Sequence, residues 1–218
     1  MRRIKGVIFD LDGTVLDSMK IWEDVDKTFL KENNISPPEG ISDIVKKLTI
    51  ELSADYFIKE FELPYSQQEV IDRIEQIVRD KYAHSIGLRD GVIELLDLLD
   101  SSGVPYCIAT ATYLTLAEAA LERLGIFDRF KFILTCSDIG SAKTSPEIFI
   151  EAATRMNCTP SETAVIEDSL HCIETAVKGG FYTIGVYEET SASDWEKIRE
   201  MSSLAVESLS GLAEVLKS

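Results

Sequence analysis

Short apolar runs that are rich in β-branched and aromatic residues alternate with amphipathic helical patterns along most of the chain. The apolar runs cover residues 4–9, 104–110, 131–135, 163–166 and 181–186. The helical patterns cover residues 91–99, 114–124, 147–156 and 170–178. Strands that are buried on both faces have continuous apolar runs of this kind, because neither face needs polar residues. The alternation therefore predicts an α/β fold, with a Rossmann-like parallel sheet that carries helices on both faces.

One long section interrupts this alternation directly after the first strand. Residues 19–85 contain no strand pattern, only amphipathic helical stretches at residues 21–32, 41–61 and 69–82. We therefore expect an α/β core domain made of residues 1–16 and 87–218, and an inserted all-helical cap domain at residues 17–86. The insertion follows the carboxyl end of the first strand, and that edge of an open α/β sheet is where ligands bind.

The charge balance excludes two classes of partner. The chain has 22 basic and 38 acidic residues among 218, a formal net charge of -16. Such a surface repels nucleic acid and anionic membranes, so neither is an expected partner. It also repels anionic small molecules, so a site for phosphate esters needs strong local positive charge.

The expected location is the cytoplasm. Four cysteines, at positions 107, 136, 158 and 172, form neither a close pair nor a zinc-binding pattern, which fits a reducing compartment. The first apolar run ends at once in Asp10, too early for a secretory signal, and no run approaches transmembrane length. A monomer suffices physically for the predicted fold.

Acidic residues follow the first predicted strand in the segment Asp10-Leu11-Asp12-Gly13-Thr14. Alternate side chains of a strand point to the same side, so we expect Asp10 and Asp12 to face the same way. Two carboxylates this close are costly unless a cation or a shared proton relieves their repulsion. The segment is therefore either a nucleophilic carboxylate beside a general acid and base, or an acidic solvated turn.

A second acidic cluster, Glu167-Asp168-Ser169, follows the predicted strand at residues 163–166. These residues could cap the next helix, but capping alone does not explain why two strands end in acidic residues. If the two strands are neighbours, their carboxylates meet in one crevice. Oxygen ligands of this kind suit Mg²⁺.

Two weaker signals are a hydroxyl at a strand end and a lysine before a helix. Thr110, with the backbone N–H groups of Ala111 and the next residues, could form a phosphate cradle, although hydroxyl residues end strands in many proteins. Lys143 stands just before the predicted helix at residues 147–156, where the helix dipole disfavours a cation. That position indicates a specific task, with an ordinary solvated lysine as the alternative.

Taken in order, these segments resemble the four motifs of the haloacid dehalogenase superfamily of phosphotransferases. Residues 10–18 match the first motif, Thr110 the second, Lys143 the third and residues 167–169 the fourth. The resemblance covers nearly the whole chain. It is greatest to the branch with a small helical cap, which includes β-phosphoglucomutase-like and phosphoglycolate phosphatase-like proteins.

The resemblance implies a role for each motif residue. Asp10 is the nucleophile that becomes an aspartyl phosphate, and Asp12 protonates the leaving oxygen and then activates water. Thr110 and the backbone N–H groups after it, including that of Ala111, hold the phosphoryl oxygens, while Lys143 stabilises the phosphate and Asp10. The implied ligands of Mg²⁺ are Asp10, the backbone carbonyl of Asp12, Glu167 and Asp168.

The chain departs from the family pattern in two motifs. Thr144 replaces the proline that usually follows the motif lysine, and His171-Cys172 replaces part of an Ala-Gly-Ile stretch. Because the charged residues remain, we expect altered packing and retained activity. His171 is expected to lie on a helix surface or behind the site.

The cap region departs from the mutases of this branch, which carry an arginine there for a second phosphate. Residues 46–51 contain no arginine, and Ile50 stands near its place, although Lys46 or Lys47 could substitute. Lysine is a poorer bidentate phosphate ligand than arginine, so water is the expected acceptor. Met19 and Trp22 are further candidates for the cap specificity pocket, or else pack between helices.

The expected function is Mg²⁺-dependent hydrolysis of a small phosphomonoester, such as a sugar phosphate. One alternative is a β-phosphoglucomutase-like sugar phosphomutase. A non-enzymatic alternative is a regulatory protein whose acidic crevice binds a metal ion or a phosphorylated ligand.

Overall fold

The computed structural model describes residues 4–45 and 50–212. The chain forms two compact units, one made of Met1–Asp17 with Gly87–Ser218 and the other of Ser18–Ile86. We call them the sheet unit and the helical unit. In the described part of the chain, all helices are too short or too polar to cross a lipid bilayer.

Within the described residues, six parallel strands form the sheet, in the order β3-β2-β1-β4-β5-β6. The strands are β1 Gly6–Phe9, β2 Tyr106–Thr110, β3 Ile133–Thr135, β4 Thr163–Glu167, β5 Tyr182–Val186 and β6 Leu204–Val206. The predicted fold class is confirmed. Strand β6 is not among the predicted strands, because a run of three residues is too short to show a pattern.

Helices occupy the helical unit and the connections of the sheet unit. The helical unit contains α1 Met19–Glu32, α2 Ile41–Val45, α3 Ile50–Glu60 and α4 Gln67–His84. The sheet unit contains α5 Val92–Ser102, α6 Leu114–Arg123, α7 Cys136–Ile139, α8 Glu147–Arg155, α9 Leu170–Lys178 and α10 Trp195–Met201. Most predicted elements differ from these only at their ends, where apolar periodicity is least informative.

The alternation of side chains along β1 separates two apolar layers. Ile8 packs with residues of α8 and α9, including Phe149 and Ala176. On the other face, the ring of Phe9 contacts Tyr106 at 6.0 Å and Phe130 at 6.1 Å between centroids. Apolar side chains thus cover both faces, so β1 and β4 are buried, and their parallel pairing holds their carboxyl ends in a fixed register.

The helical unit has its own apolar core. Phe29 of α1 and Phe57 of α3 are fully buried, with ring centroids 5.2 Å apart. Helix α4 begins two residues before the predicted stretch, because Ser66 and Glu69 form a reciprocal capping box. Arg73 donates two hydrogen bonds to Glu32, of 2.7 and 2.6 Å, and so links α4 to α1.

Gly91 is a point at which the sheet unit tolerates no side chain. It precedes α5 with a φ of +87°, and an added Cβ would lie 1.9 Å from the backbone nitrogen of Ser210. We expect Gly91→Ala to lower the free energy of unfolding by at least about 3 kcal/mol, since a left-handed strain adds to a backbone clash. Urea unfolding of the full chain measures this loss.

Gly103→Ala is the matched control, because Gly103 also has a positive φ, +65°, but its added Cβ would meet nothing within 4 Å. Only the conformational strain remains there, so we expect a loss of about 1 kcal/mol. Equal losses for the two variants would show that the approach of Ser210 to Gly91 has no energetic consequence.

Candidate active site

The pairing of β1 with β4 brings two acidic segments together. Phe9 lies beside Ile166 in the parallel register, and the N–H of Asp10 donates to the carbonyl of Ile166 at 3.0 Å. The next residues, Asp10 and Glu167, therefore leave the sheet side by side at its carboxyl edge. Glu167 and Asp168 are almost fully buried, and Asp10 is 7% exposed.

Lys143 reaches these carboxylates from the loop between α7 and α8. Its Nζ forms an ion pair with Asp10 and donates to Glu167 Oε1 at 2.8 Å. The side chain is only 6% exposed, and the ammonium group lies 5.9 Å from the centroid of the Phe149 ring. A lysine that is buried this deeply and bound by two acids is not an ordinary solvated lysine.

Burial and mutual repulsion dominate the electrostatics of the acidic residues. Burial and the charge of Glu167 hold the pKa of Asp10 well above its usual range, although Lys143 opposes them. Burial and Glu167 also raise the pKa of Asp168 to about 7. Burial works against the charge of Lys143, but Asp10 and Glu167 raise the pKa of its ammonium well above the usual value. The lysine therefore stays charged, and the carboxylates retain uncompensated repulsion.

The chemistry of these side chains fits a metal ion. Asp10, Glu167 and Asp168 are buried, and each offers a carboxylate oxygen within 4.8 Å of the others. Three carboxylates exceed the single charge of Lys143, so a bound cation would relieve the remaining repulsion. The sequence-based prediction of an acidic metal site therefore agrees with a buried cluster that can hold a metal ion. The side chain of Asp12 lies outside this group, and the predicted contribution of its backbone carbonyl stays a prediction.

The second carboxylate of the first motif has a hydroxyl partner from the bend that follows β2. Thr112 Oγ1 donates to Asp12 Oδ2 at 2.5 Å, and the N–H of Thr112 donates to Thr110 Oγ1 at 3.0 Å. Thr110 is buried at the end of β2, and Ala111 is exposed. Sequence reasoning named Thr110 and Ala111 but gave Thr112 no role. The sequence feature that could have pointed to Thr112 is a second hydroxyl side chain two residues after Thr110.

A buried ion pair near Asp168 was also missed. Arg89 pairs with Glu188, which is 4% exposed, and its guanidinium donates to the carbonyl of Tyr187 at 2.5 Å. Burial and Glu167 dominate the pKa of Asp168, and the charge of Arg89 opposes them. The sequence carries no local signal for this pair, because its two residues are separated by most of the sheet unit.

The departures from the family pattern lie beside the site. Thr144 is exposed in the turn after Lys143. His171 is exposed in the first turn of α9, where Nδ1 lies 2.7 Å from Ser169 Oγ and Nε2 lies 3.2 Å from Cys172 Sγ. Burial and the charge of Glu167 raise the pKa of the Cys172 thiol, which therefore stays protonated.

The candidate cap residues belong to the helical unit. Met19 is the first residue of α1 and is half-buried, and Trp22 lies in the same helix. The side chain of Trp22 and the whole of Lys46 and Lys47 lie outside the described residues. A role of these four residues in specificity stays a prediction.

Known proteins resemble the chain across nearly its whole length. Hexitol phosphatase A of Escherichia coli is 26% identical over 184 residues, covering 84% of this chain and 83% of that protein. N-acetylmuramic acid 6-phosphate phosphatase of Pseudomonas aeruginosa is 26% identical over 193 residues, covering 84% and 82%. The crystal structure of β-phosphoglucomutase from Clostridium difficile has the same fold, with a TM-score of 0.71, 21% identity and coverage of 98% and 96%.

The resemblance predicted from the motifs is confirmed by a family comparison. The model of the family described as haloacid dehalogenase-like hydrolase matches residues 4–180, a range that includes all four motifs. The chain therefore belongs to the haloacid dehalogenase-like hydrolase family.

Proposed function

We propose that the protein is a Mg²⁺-dependent phosphatase that hydrolyses a small phosphomonoester, such as a sugar phosphate, through an aspartyl phosphate. One observation carries the proposal: Lys143 is buried between Asp10 and Glu167 at the carboxyl edge of the sheet. This arrangement gives a carboxylate nucleophile local positive charge in a protein whose net charge is -16. Phosphoryl transfer depends mainly on such positioning and charge neutralisation.

In the first step, a carboxylate oxygen of Asp10 attacks the phosphorus atom of the ester. The bond between phosphorus and the alcohol oxygen breaks, and that oxygen takes a proton from Asp12. Thr112 supports this role, because its hydroxyl holds the Asp12 carboxyl group at a fixed position. The products of the step are the free alcohol and a phosphoryl group on Asp10.

In the second step, water hydrolyses the aspartyl phosphate. Asp12, now ionised, accepts a proton from the water as its oxygen bonds to phosphorus, and the bond between phosphorus and Asp10 breaks. Inorganic phosphate leaves, and both aspartates return to their starting protonation states. Lys143 neutralises negative charge on the phosphoryl group throughout, while Thr110 and the N–H of Ala111 orient its oxygens.

Mg²⁺ is the proposed metal because the donor set consists of oxygens. The carboxylates of Asp10, Glu167 and Asp168 would hold it together with the backbone carbonyl of Asp12. When bound, the ion supplies positive charge that favours ionised carboxylates and a bound phosphate. The chain's own contribution is to keep these ligands buried and close together.

The substrate class and the role of the helical unit are part of the proposal. The two phosphatases named above, with hexitol and N-acetylmuramic acid 6-phosphate in their names, support a phosphorylated carbohydrate. We propose that residues 17–86 act as a cap that selects the substrate and excludes water. Met19, Trp22, Lys46 and Lys47 are its candidate specificity residues. A diffusible substrate and free cysteines fit a cytoplasmic enzyme, for which a monomer suffices physically.

A screen of phosphorylated metabolites, with and without Mg²⁺, tests this function. We expect Mg²⁺-dependent release of inorganic phosphate from at least one small monoester. With a hexose 1-phosphate, release of phosphate supports a phosphatase, whereas formation of the 6-phosphate identifies a phosphomutase. If the protein binds Mg²⁺ but turns over no substrate, including p-nitrophenyl phosphate, the regulatory alternative replaces the enzymatic one.

A further inference from the structure

Two large apolar side chains are exposed directly after the residue that contacts Asp12. Tyr113 is 61% exposed and Leu114 is 39% exposed, and they follow Thr112 in the chain. The hydroxyl of Thr112 donates to Asp12, the proposed proton donor to the leaving oxygen. Because they follow Thr112 directly, Tyr113 and Leu114 lie within two residues of the contact with the proposed proton donor.

Neither side chain is explained by local structure. Tyr113 occupies the N-cap position of α6 but makes no capping hydrogen bond with its side chain. Ser, Thr, Asp and Asn are strongly preferred there, so the tyrosine costs helix stability. The core face of α6 is formed by other residues, namely Leu116, Ala117, Ala120 and Leu121. A residue that breaks a local rule beside a reaction centre indicates a functional reason.

Within the described part of the sheet unit, the charges around the acidic cluster disfavour a second anionic group on the substrate. Lys143 is already paired with Asp10 and Glu167, and Arg89 is paired with Glu188. The site also has a surplus of carboxylates, which would repel an additional phosphate or carboxylate. An uncharged leaving group with an apolar face meets neither obstacle.

We propose that Tyr113 and Leu114 form an apolar platform that binds the flat, uncharged face of the leaving group. The inference rests on the proposed phosphatase function and extends it to a substrate class. That class comprises monophosphates of a sugar ring or of a nucleoside, both of which can pack a ring face on tyrosine. A substrate with a second anionic group beside the ester is disfavoured.

The test compares leaving groups with and without such a face. Wild type, Tyr113→Ala, Tyr113→Phe and Leu114→Ala are assayed with acetyl phosphate, a hexose 6-phosphate, a nucleoside 5′-monophosphate and a hexose bisphosphate. Ile150→Ala is the matched control for Leu114→Ala, because Ile150 is 42% exposed and lies in α8. Thermal unfolding of each variant verifies that it folds.

We expect Tyr113→Ala to lower kcat/KM about tenfold for the preferred ring substrate, mainly through KM, as for the loss of one stacking contact. For acetyl phosphate, kcat/KM should stay within about twofold, because its leaving group, acetate, has no ring. For the ring substrate, Tyr113→Phe should retain most of the wild-type kcat/KM, and Ile150→Ala should match wild type. The kcat/KM of Leu114→Ala should lie between those of Tyr113→Ala and Tyr113→Phe. If kcat/KM falls more for the hexose 6-phosphate, the platform binds a sugar ring. If it falls more for the nucleoside 5′-monophosphate, the platform binds a nucleoside.

Two results would overturn the platform while leaving the phosphatase intact. One is an equal fall in the kcat/KM of Tyr113→Ala for acetyl phosphate and for the ring substrates, which would mean that Tyr113 acts only through the fold or the reaction centre. The other is a wild-type preference for the bisphosphate over the monophosphates. If wild type turned over none of the compounds, including acetyl phosphate, the proposed function itself would fail, and the platform with it.

Discussion

Asp10→Asn is expected to slow phosphate release by on the order of 10⁴-fold or more, since the variant lacks the attacking carboxylate. An amide oxygen is a poor nucleophile, and no aspartyl phosphate can form on it. The neighbouring carboxylates Glu167 and Asp168 are not expected to take over the attack, because they come from the end of β4 and not from the position of Asp10 after β1. The measurement is the rate of phosphate release at saturating substrate and Mg²⁺.

The same variant should unfold no more easily than wild type when metal is absent. Burial and the charge of Glu167 raise the pKa of Asp10 well above its usual range, which means that the fold disfavours the ionised form. An uncharged amide removes that repulsion, at the cost of one ion pair with Lys143. The variant should therefore lose activity without losing stability, as expected where a site retains strain for function.

Asp128→Asn is the matched control, because Asp128 is exposed in the sheet unit. It makes the same chemical change outside the acidic cluster and should leave both rate and stability near wild type. Two results would contradict the nucleophile assignment. One is full turnover by Asp10→Asn, and the other is a covalent phosphoenzyme that still forms in that variant.

Lys143→Met is expected to lower the free energy of unfolding by about 3–5 kcal/mol in the metal-free protein, because removing one partner of a buried ion pair leaves the others uncompensated. Methionine approximates the length of the lysine chain, so the loss reports charge more than volume. Asp10 and Glu167 then face each other and Asp168 without a cation. Urea unfolding at neutral pH in the presence of a chelator measures the change.

The loss of stability in Lys143→Met should depend on pH in a defined direction. Burial and Glu167 raise the pKa of Asp168 to about 7 in the folded protein, well above the ordinary aspartate value of about 3.9. A carboxyl group with a raised pKa holds its proton more tightly when folded, so this group stabilises the fold at acid pH. That contribution falls as the pH rises from about 4 towards 7. The charge of Lys143 opposes this rise, so its removal should raise the pKa of Asp168 further. The variant should therefore lose more stability at pH 8, where the carboxylates must ionise, than at pH 5, and Mg²⁺ should reduce the difference.

Lys178→Met serves as the control for charge removal, because Lys178 is exposed at the end of α9. A surface substitution of this kind should change stability by no more than about 0.5 kcal/mol. If Lys143→Met were as stable as this control at pH 8, the ion pairs between Lys143 and the acidic residues would make no contribution to the free energy of unfolding. The proposed charge balance of the site would then be wrong.

The sequence alone was informative wherever a local pattern has a single structural meaning. Buried parallel strands need continuous apolar runs, so five of the strands of the described sheet could be recognised. Acidic residues end two of these runs, which placed Asp10 and Glu167 at the same edge of the sheet. The short edge strand Leu204–Val206 escaped notice, because three residues carry too little pattern.

Contacts between distant segments could not be read in this way. The hydrogen bond from Thr112 to Asp12 joins residues 100 positions apart, and the Arg89–Glu188 pair joins residues 99 apart. No periodicity or capping rule relates such positions, since their distance depends on strand order and register. Lys143 could be suspected from its place before a helix, but its two carboxylate partners are a property of the folded chain.

By itself, the sequence determined the class of fold, the helical insertion after the first strand and the residue types available at the sheet edge. These features depend on hydrophobic periodicity and on chain order, which are local properties. Only the tertiary structure decided that β1 pairs with β4, so that three carboxylates and one ammonium group share a buried site. The physical reason is that burial changes what a charged group does: the same residues in solvent would titrate normally, whereas here each one alters the charge state of the others.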